Sequence, residues 1–157
     1  MWHVFEHLAE PKATLSKLSK IIKPGGILAL ALPNSDSINA EIFGEYWSGY
    51  DVPRHYFVYS LPLIKKLFEE FNFIVDHKIR FIGEFSSFKY STEFWLSDRV
   101  KSVKTRTLLE HLLGSTPIHI LLTPYFLVTN AMGKGSTMVI IARNNKNNST
   151  PKSVLKC

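Results

Sequence analysis

The chain has almost no cysteine, since Cys157, its last residue, is the only one in 157 residues. One thiol cannot form a disulfide within the chain, so the class of small secreted domains that are held together by disulfides is excluded. A single cysteine is typical of proteins in the reducing cytosol. We therefore expect a cytoplasmic protein.

Long apolar runs are also missing. The most apolar stretch, residues 118–128, is too short to cross a bilayer and contains Pro124. The first residues do not show the basic and then apolar pattern of a secretory signal. We expect no transmembrane span. The apolar segment 112–132 could still contact a membrane surface from one side.

Charge of one sign is in modest excess, because 19 Lys and Arg residues against 13 Asp and Glu residues give a net charge of +6. The basic residues stand singly or in pairs along the chain, so we expect no binding to nucleic acid. Apolar residues make up 45% of the chain and charged residues 20%. This composition is typical of a globular domain with a hydrophobic core.

A glycine-rich nucleotide loop is absent too. Such loops run from a strand through glycines into a helix, so that the first N–H groups of the helix face the phosphates. Here Gly25-Gly26 and Gly133-Lys-Gly135 each follow a helical pattern and precede an apolar strand, which is the reverse order. Both are predicted to be turns.

The most informative stretch that is present runs from residue 11 to residue 34. Residues 11–22 repeat apolar side chains at helical spacing, and residues 27–32 are apolar on both faces, as in a strand covered on two sides. A helix that leads into such a strand is one unit of an open α/β sheet. In these sheets ligands bind beyond the carboxyl ends of the strands, here near Pro33 and Asn34.

Other periodicities predict the rest of the chain. Ser60 is a predicted N-cap for an apolar helix that reaches Phe71. Alternation over residues 73–81 predicts a strand, and residues 137–142 predict the last strand. Residues 84–132 interrupt this rhythm and are predicted to be a helical insertion, while the polar residues 144–157 are predicted to be a disordered tail. Within the insertion, Trp95 and the cluster of phenylalanines beside it, Phe85, Phe88 and Phe94, are expected to be core residues.

The first residues hold a possible metal motif. His3-Val-Phe-Glu6-His7 matches the H-x-x-E-H pattern of inverted zinc metalloproteases. That site needs a longer helix around the motif, but Pro11 limits a helix downstream. No metal site is therefore predicted.

A second stretch, residues 47–55, combines Trp47, Arg54 and His55. The arginine could bind a carboxylate or phosphate through two hydrogen bonds, and the histidine could act as a base near neutral pH. The alternative is structural: Arg54 pairs with Asp51 or Glu45, and the aromatic residues pack the loop onto the sheet.

Taken in order, these motifs resemble one family. Trp2-His-Val-Phe-Glu-His-Leu8, Lys23-Pro-Gly-Gly26, Pro33-Asn34, Trp47 and Pro53-Arg54-His55 are similar to the second half of a class I S-adenosylmethionine-dependent methyltransferase. The subgroup most similar is that of the ubiquinone-biosynthesis O-methyltransferases. The resemblance covers residues 1–143 and implies an α/β fold: a partial Rossmann-like methyltransferase sheet of strands four to seven, with an antiparallel last strand and a helical insertion.

The resemblance also implies roles for individual residues. Trp2, His3 and Val4 would follow strand four and line the methionine end of the cofactor, S-adenosylmethionine. A small-molecule or lipid-like methyl acceptor would face the residues after strand five and in the aromatic loop, which are Pro33, Asn34, Trp47, Arg54 and His55. His3 and His55 are the implied catalytic bases.

One part of the family pattern has no counterpart in this sequence. The glycine-rich cofactor loop and the acids that hold the nucleoside lie upstream of the matched motifs in such enzymes. We therefore expect a truncated domain that is inactive alone, that needs an upstream half in trans, and whose strand 27–32 exposes an apolar edge. The alternative function is a non-catalytic interaction module that uses this edge or the segment 112–132.

Overall fold

The computed structural model describes residues 1–76, 80–83 and 85–146. Its helices are α1 (Pro11–Ile21), α2 (Ile38–Phe43), α3 (Leu61–Glu69), α4 (Phe85–Arg99), α5 (Val103–Leu113) and α6 (Thr116–Ala131). Its strands are β1 (Ile27–Pro33), β2 (Phe73–Val75), β3 (Arg80–Ile82) and β4 (Thr137–Asn144). Single 3₁₀ turns cover Phe5–His7 and Gly44–Tyr46. The predicted mixed α/β class is confirmed.

The last strand, β4, lies at the centre of the sheet. It pairs antiparallel with β1 on one side and with β2 and β3 on the other. Because both neighbours oppose β4, β1 and β2 run in the same direction. On the outer side of β1, Trp2 forms a parallel bridge with Ala31, and the His3 N–H donates to the Ala31 carbonyl at 2.9 Å. The antiparallel last strand is thus confirmed.

The exposed apolar edge predicted on β1 is not formed there. The Met1 ammonium donates to the Ala29 carbonyl at 2.7 Å, and the Ala31 N–H donates to the Met1 carbonyl at 3.1 Å. Leu30 and Leu32 are fully buried, whereas Trp2 is exposed. This prediction was wrong because the first residues themselves cover β1. Among the described residues, the segment 1–3 is thus the outer neighbour of β1 in the sheet.

The hydrophobic core lies where α1 and α3 pack against the sheet. Leu15 of α1 and Phe68 of α3 are fully buried and belong to the same cluster as residues of β1, β2 and β4. The apolar face of α3 therefore forms at the spacing that the sequence predicts, and that of α1 does so except at Ile21, which is 76% exposed at the end of the helix. Ser60 caps α3 as expected, since its hydroxyl accepts from the Leu63 N–H at 3.4 Å.

Two predicted element boundaries change. The predicted strand 73–81 is divided into β2 and β3, and its residues 77–79 lie outside the described residues. Asn144, predicted to begin the tail, is instead the buried last residue of β4. Its side-chain amide donates to the carbonyls of Ser19 and Ile22 at 3.0 and 2.7 Å, so it closes the end of α1. Residues 147–157 of the predicted tail lie outside the described residues.

Residues 85–131 fold as α4, α5 and α6. Glu84, predicted to begin the insertion, lies outside the described residues. The expectation of core positions was wrong for Phe94 and Trp95, because both are exposed on α4, Trp95 by 41%, whereas Phe85 and Phe88 are half-buried. Leu96, the residue after Trp95, turns inward and is buried.

Candidate functional site

A cavity of about 620 Å³ opens at the carboxyl end of β1. Its volume lies in the range of small-molecule sites, about 300 to 1,000 Å³. The walls come from the loop 47–55, from α4 and from the ends of β1 and β4. The lining residues are His3, Pro33, Trp47, Ser48, Gly49, Asp51, Arg54, His55, Ser86, Ser87, Tyr90, Phe94, Ser136 and Thr137.

The cavity brings together five residues that the sequence singled out, and they come from three distant segments. These residues are His3, Pro33, Trp47, Arg54 and His55. The other three predicted site residues, Trp2, Val4 and Asn34, do not line the cavity. Trp2 and Val4 are exposed, whereas Asn34 is fully buried and its amide donates to the Gly135 carbonyl at 3.0 Å.

The end of β1 is shaped by Pro33 and Asn34. Proline has no N–H for the strand ladder, and Pro33 faces Thr137 at the start of β4. Asn34 then turns the chain, because its side-chain oxygen accepts from the Asp36 N–H at 3.1 Å. The role of Asn34 is thus to hold the turn, and Pro33 and Thr137 are left at the cavity wall.

The loop 47–55 is fastened to α4 by serine hydrogen bonds. The Ser48 N–H donates to the Ser91 hydroxyl at 2.9 Å, and the Ser48 hydroxyl donates to the Ser87 carbonyl at 3.1 Å. Trp47 is only 1% exposed, so the loop is also anchored by a buried indole. This packing of Trp47 agrees with the structural alternative for the loop.

His55 is the titratable side chain whose geometry is best defined in this loop. Its side chain is 10% exposed. Its Nδ1 lies 2.8 Å from the Gly49 carbonyl, and because a carbonyl can only accept, Nδ1 carries the proton in this contact. In the neutral ring Nε2 therefore has the lone pair, and it lies 3.8 Å from a carboxylate oxygen of Asp51. Such a ring can accept a proton at Nε2.

His3 has a comparable partner in Glu6. The His3 Nδ1 lies 3.2 Å from Oε1 of Glu6, which is fully buried. A carboxylate in this position holds the imidazole in one tautomer and one orientation. The backbone of His3 has φ 48°, and that of Asp51, the partner of His55, has φ 35°. Positive φ is uncommon for residues other than glycine, and strained residues cluster at functional sites.

A buried polar pair lies behind His3. Among the described residues, neither Oε2 of Glu6 nor the hydroxyl of Tyr59 has a hydrogen-bond partner. Burial raises the pKa of Tyr59 above its usual value, and the charge of Glu6 raises it further. The phenol of Tyr59 therefore stays neutral well into alkaline pH.

Glu6, His7 and His55 are the side chains that could hold a metal ion in the described part of the chain. Their ligand atoms all lie within 4.8 Å of one another. The long helix of an H-x-x-E-H site is not formed, because Phe5–His7 is a single 3₁₀ turn. Instead His55 meets His7 edge to face, with ring centroids 4.6 Å apart. The sequence predicted no metal ligand, and this grouping depends on a contact between distant segments.

Arg54 forms the ion pair that the structural alternative predicted. Its Nη2 lies 2.7 Å from Oδ1 of Asp51, and its side chain is 75% exposed. The His7 Nδ1 donates to the Arg54 carbonyl at 2.9 Å, which ties the loop to the first residues of the chain. Arg54 thus lies at the cavity mouth and faces solvent.

Several lining residues were missed by sequence reasoning. The serine pair Ser86-Ser87, together with Tyr90 and Phe94, comes from α4, and Ser136 comes from the segment before β4. These residues belong to no motif, and only the packing of α4 across the loop brings them to the cavity. The signal that could have found them is the polar pair at the start of an aromatic-rich helix.

One family model matches the part of the chain that holds the motifs. Residues 1–78 match the model of a family described as a methyltransferase domain. No curated protein matches the chain. A solved structure described as a sarcosine dimethylglycine methyltransferase from Galdieria sulphuraria is 14% identical, with a TM-score of 0.47 over 91% of this chain and 51% of that one.

Two further solved structures are similar to the chain. A methyltransferase from Bacillus halodurans is 18% identical, with a TM-score of 0.48 over 91% of this chain and 67% of that one. A phosphoethanolamine N-methyltransferase from Haemonchus contortus, in complex with phosphomonomethylethanolamine and S-adenosylhomocysteine, is 16% identical, with a TM-score of 0.38 over 91% and 32% of the two chains.

The chain spans about half the length of the first of these structures, 51%. The family-model match over residues 1–78 includes β1, the loop 47–55 and the motifs around His3 and His55. This match supports a class I methyltransferase domain in the first half of the chain, as the motifs predicted.

Proposed function

We propose that this chain forms the acceptor side of an S-adenosylmethionine-dependent methyltransferase and that the cavity binds the molecule that is methylated. The observation that carries the proposal is the meeting of His3, Pro33, Trp47, Arg54 and His55 on one cavity. These residues were selected from separate motifs, and the segment that contains them matches a methyltransferase domain.

The proton chemistry of this proposal centres on His55. Methylation of a hydroxyl or a protonated amine requires that the acceptor atom lose its proton as it is alkylated, in a geometry held by the protein. The contact between Nδ1 and the Gly49 carbonyl leaves Nε2 as the proton acceptor. Asp51, at 3.8 Å, stabilises the imidazolium that forms. His3, oriented by Glu6, is the second candidate base.

The lining of the cavity suits an acceptor with a polar head and an apolar body. Ser48 and Ser87 offer hydroxyl oxygens, while Tyr90 and Phe94 offer exposed aromatic surface. This combination supports a small-molecule or lipid-like acceptor. The resemblance to the ubiquinone-biosynthesis subgroup supports an oxygen atom as the site of methylation.

The described residues do not fit the whole cofactor. His3 lines the cavity and could contact the methionine end, but Trp2 and Val4 do not line it. Within the described ranges, no glycine-rich turn leads from a strand into a helix. Residues 1–157 alone are therefore inactive in this proposal, and a further segment in cis or in trans supplies the nucleoside site.

The proposal is tested by titration and by complementation. Isothermal titration of the chain with S-adenosylhomocysteine should show no binding at micromolar ligand, and micromolar binding would show that the inactivity claim is wrong. The chain joined to a segment that carries the glycine-rich cofactor loop should bind this ligand and methylate hydroxyl compounds that carry apolar side chains. Absence of ligand binding by the joined chain as well would instead favour the interaction module.

A further inference from the structure

The helix α6 exposes apolar side chains where a helix of a globular domain is expected to expose polar ones. Its sequence, Thr116–Ala131, contains no Asp, Glu, Lys or Arg. Ile120 is 68% exposed and Leu121 is 71% exposed. A contiguous apolar surface of this kind marks a site of interaction with a protein or a membrane.

The large apolar residues that α6 exposes lie on one face. They recur at spacings of three and four, which places them in a single stripe along the helix. The stripe consists of Pro117, Ile120, Leu121, Pro124, Leu127 and Val128. Phe126 and Thr129, on the opposite face, are buried, and α6 packs against β3. The stripe therefore points away from the domain.

Basic residues precede the stripe in the chain. Between residues 98 and 132 there are four of them, Arg99, Lys101, Lys104 and Arg106, against two acids, Asp98 and Glu110, and an oxygen of Asp98 lies 3.7 Å from Nε of Arg99. Lys101 and Lys104 are exposed at the start of α5. Glu110 is engaged by Arg106, with Nε and Oε1 3.6 Å apart. An apolar helix preceded in the chain by exposed cations is the pattern of segments that lie on anionic bilayers.

We propose that α5 and α6 form a docking surface for an anionic lipid bilayer. The stripe of α6 enters the interface, and Lys101 and Lys104 contact the headgroups. No single helix of the described residues is long and apolar enough to cross a membrane, and α5 and α6, which pass that test only together, are bent by 59°. A bent pair suits a position in the interfacial plane.

The charge of this surface disfavours a second copy of the chain as its occupant. Two copies would bring the same basic residues towards each other, and like charges at an interface repel. An anionic bilayer carries the complementary charge. The surface is separate from the cavity, although α4 contacts α5 and lines the cavity as well, so docking would bring the cavity close to the lipid.

Vesicle flotation tests this inference with the full chain. We expect the chain to float with vesicles of phosphatidylcholine and phosphatidylserine and to float weakly with phosphatidylcholine alone. The double variant Leu121→Glu/Val128→Glu should lose flotation. The control Ile21→Glu/Leu63→Glu makes the same charge change at exposed apolar positions of α1 and α3 and should float like the unmodified chain.

The electrostatic part is tested separately. Each lysine near an anionic surface contributes about 1 kcal/mol, so Lys101→Gln/Lys104→Gln should lower the partition coefficient on the order of thirtyfold. Equal flotation with neutral and anionic vesicles would overturn the proposal. So would a dimer in solution that the α6 variant dissociates, or protease protection showing that the segment crosses the bilayer.

Discussion

Gly49 is the position where a single methyl group should disturb the candidate site most. A Cβ built on Gly49 would lie 2.5 Å from Cε2 of Trp47 and even closer to two neighbouring ring atoms. Trp47 is 1% exposed and cannot swing into solvent. Gly49 also holds His55 through its carbonyl, at 2.8 Å from Nδ1. The substitution Gly49→Ala must therefore shift either the indole or the loop that positions His55.

The magnitude follows from the cost of overpacking. Forcing additional volume into a packed region costs about 1–3 kcal/mol. In a domain of this size, each kcal/mol lowers the Tm by about 2–4 °C. We expect Gly49→Ala to lower the free energy of unfolding by that amount and the Tm by about 2–12 °C. In a complemented enzyme, methyl transfer should fall as well, because His55 loses its fixed orientation.

The assay is urea unfolding of a double-mutant cycle between Gly49 and Trp47. Trp47→Leu removes the ring atoms that the new methyl group meets, so Gly49→Ala should cost much less in that background. Gly114→Ala is the control, since its Cβ would meet the flexible Lys89 side chain at 3.1 Å and the Glu110 carbonyl at 3.0 Å. An unchanged cost of Gly49→Ala in the Trp47→Leu background would refute the steric reasoning.

Three further predictions concern single side chains. Tyr59→Phe removes a buried hydroxyl and should leave the free energy of unfolding at pH 7 nearly unchanged. Because the raised pKa of Tyr59 makes the folded state hold the phenolic proton, the unmodified chain keeps its full stability below pH 10.0 and loses stability above it. Thermal melts should show a smaller loss above pH 10.0 in the variant. Asn144→Ala strands two carbonyls at the end of α1 and should cost about 1–3 kcal/mol in urea unfolding; a loss below 0.5 kcal/mol, roughly the surface norm, would contradict this. His55→Gln should lower the rate of methyl transfer by the complemented enzyme about 10² to 10⁴-fold, whereas the control His111→Gln, at an exposed histidine, should not lower it. If the His55→Gln enzyme were as fast as the unmodified one, His55 would be excluded as the base.

The helices and strands could be predicted because the spacing of their apolar residues indicates which faces pack against the rest of the domain. α1 and α3 each bury one face, and β1 and β4 are apolar along most of their length, so local sequence sufficed for all four. The segment 73–81 alternates like a strand, but within the described residues only its ends pair with β4. Alternation of apolar and polar residues predicts which side chains face the core. It does not determine where along the segment the backbone pairs with a neighbouring strand.

The site was predictable to the extent that its residues fall in motifs. His3, Pro33, Trp47, Arg54 and His55 were found in this way. The wall contributed by α4 was not, because it depends on tertiary hydrogen bonds from Ser48 to that helix. The edge-to-face contact of His7 with His55 is of the same kind.

The two exposed apolar areas differ in the partner that each can accept. Residues 1–3 pair with β1 along one edge of the segment, and among the described residues no strand pairs with the other edge, where a further strand could be added. The backbone of α6 bonds within the helix, so the stripe offers side chains alone, which suit a bilayer. The edge lies beyond β1, whereas α6 packs on β3 across the sheet. An added upstream segment should therefore restore cofactor binding and leave vesicle flotation unchanged; if it abolished flotation, the stripe would be an internal surface of the complete domain.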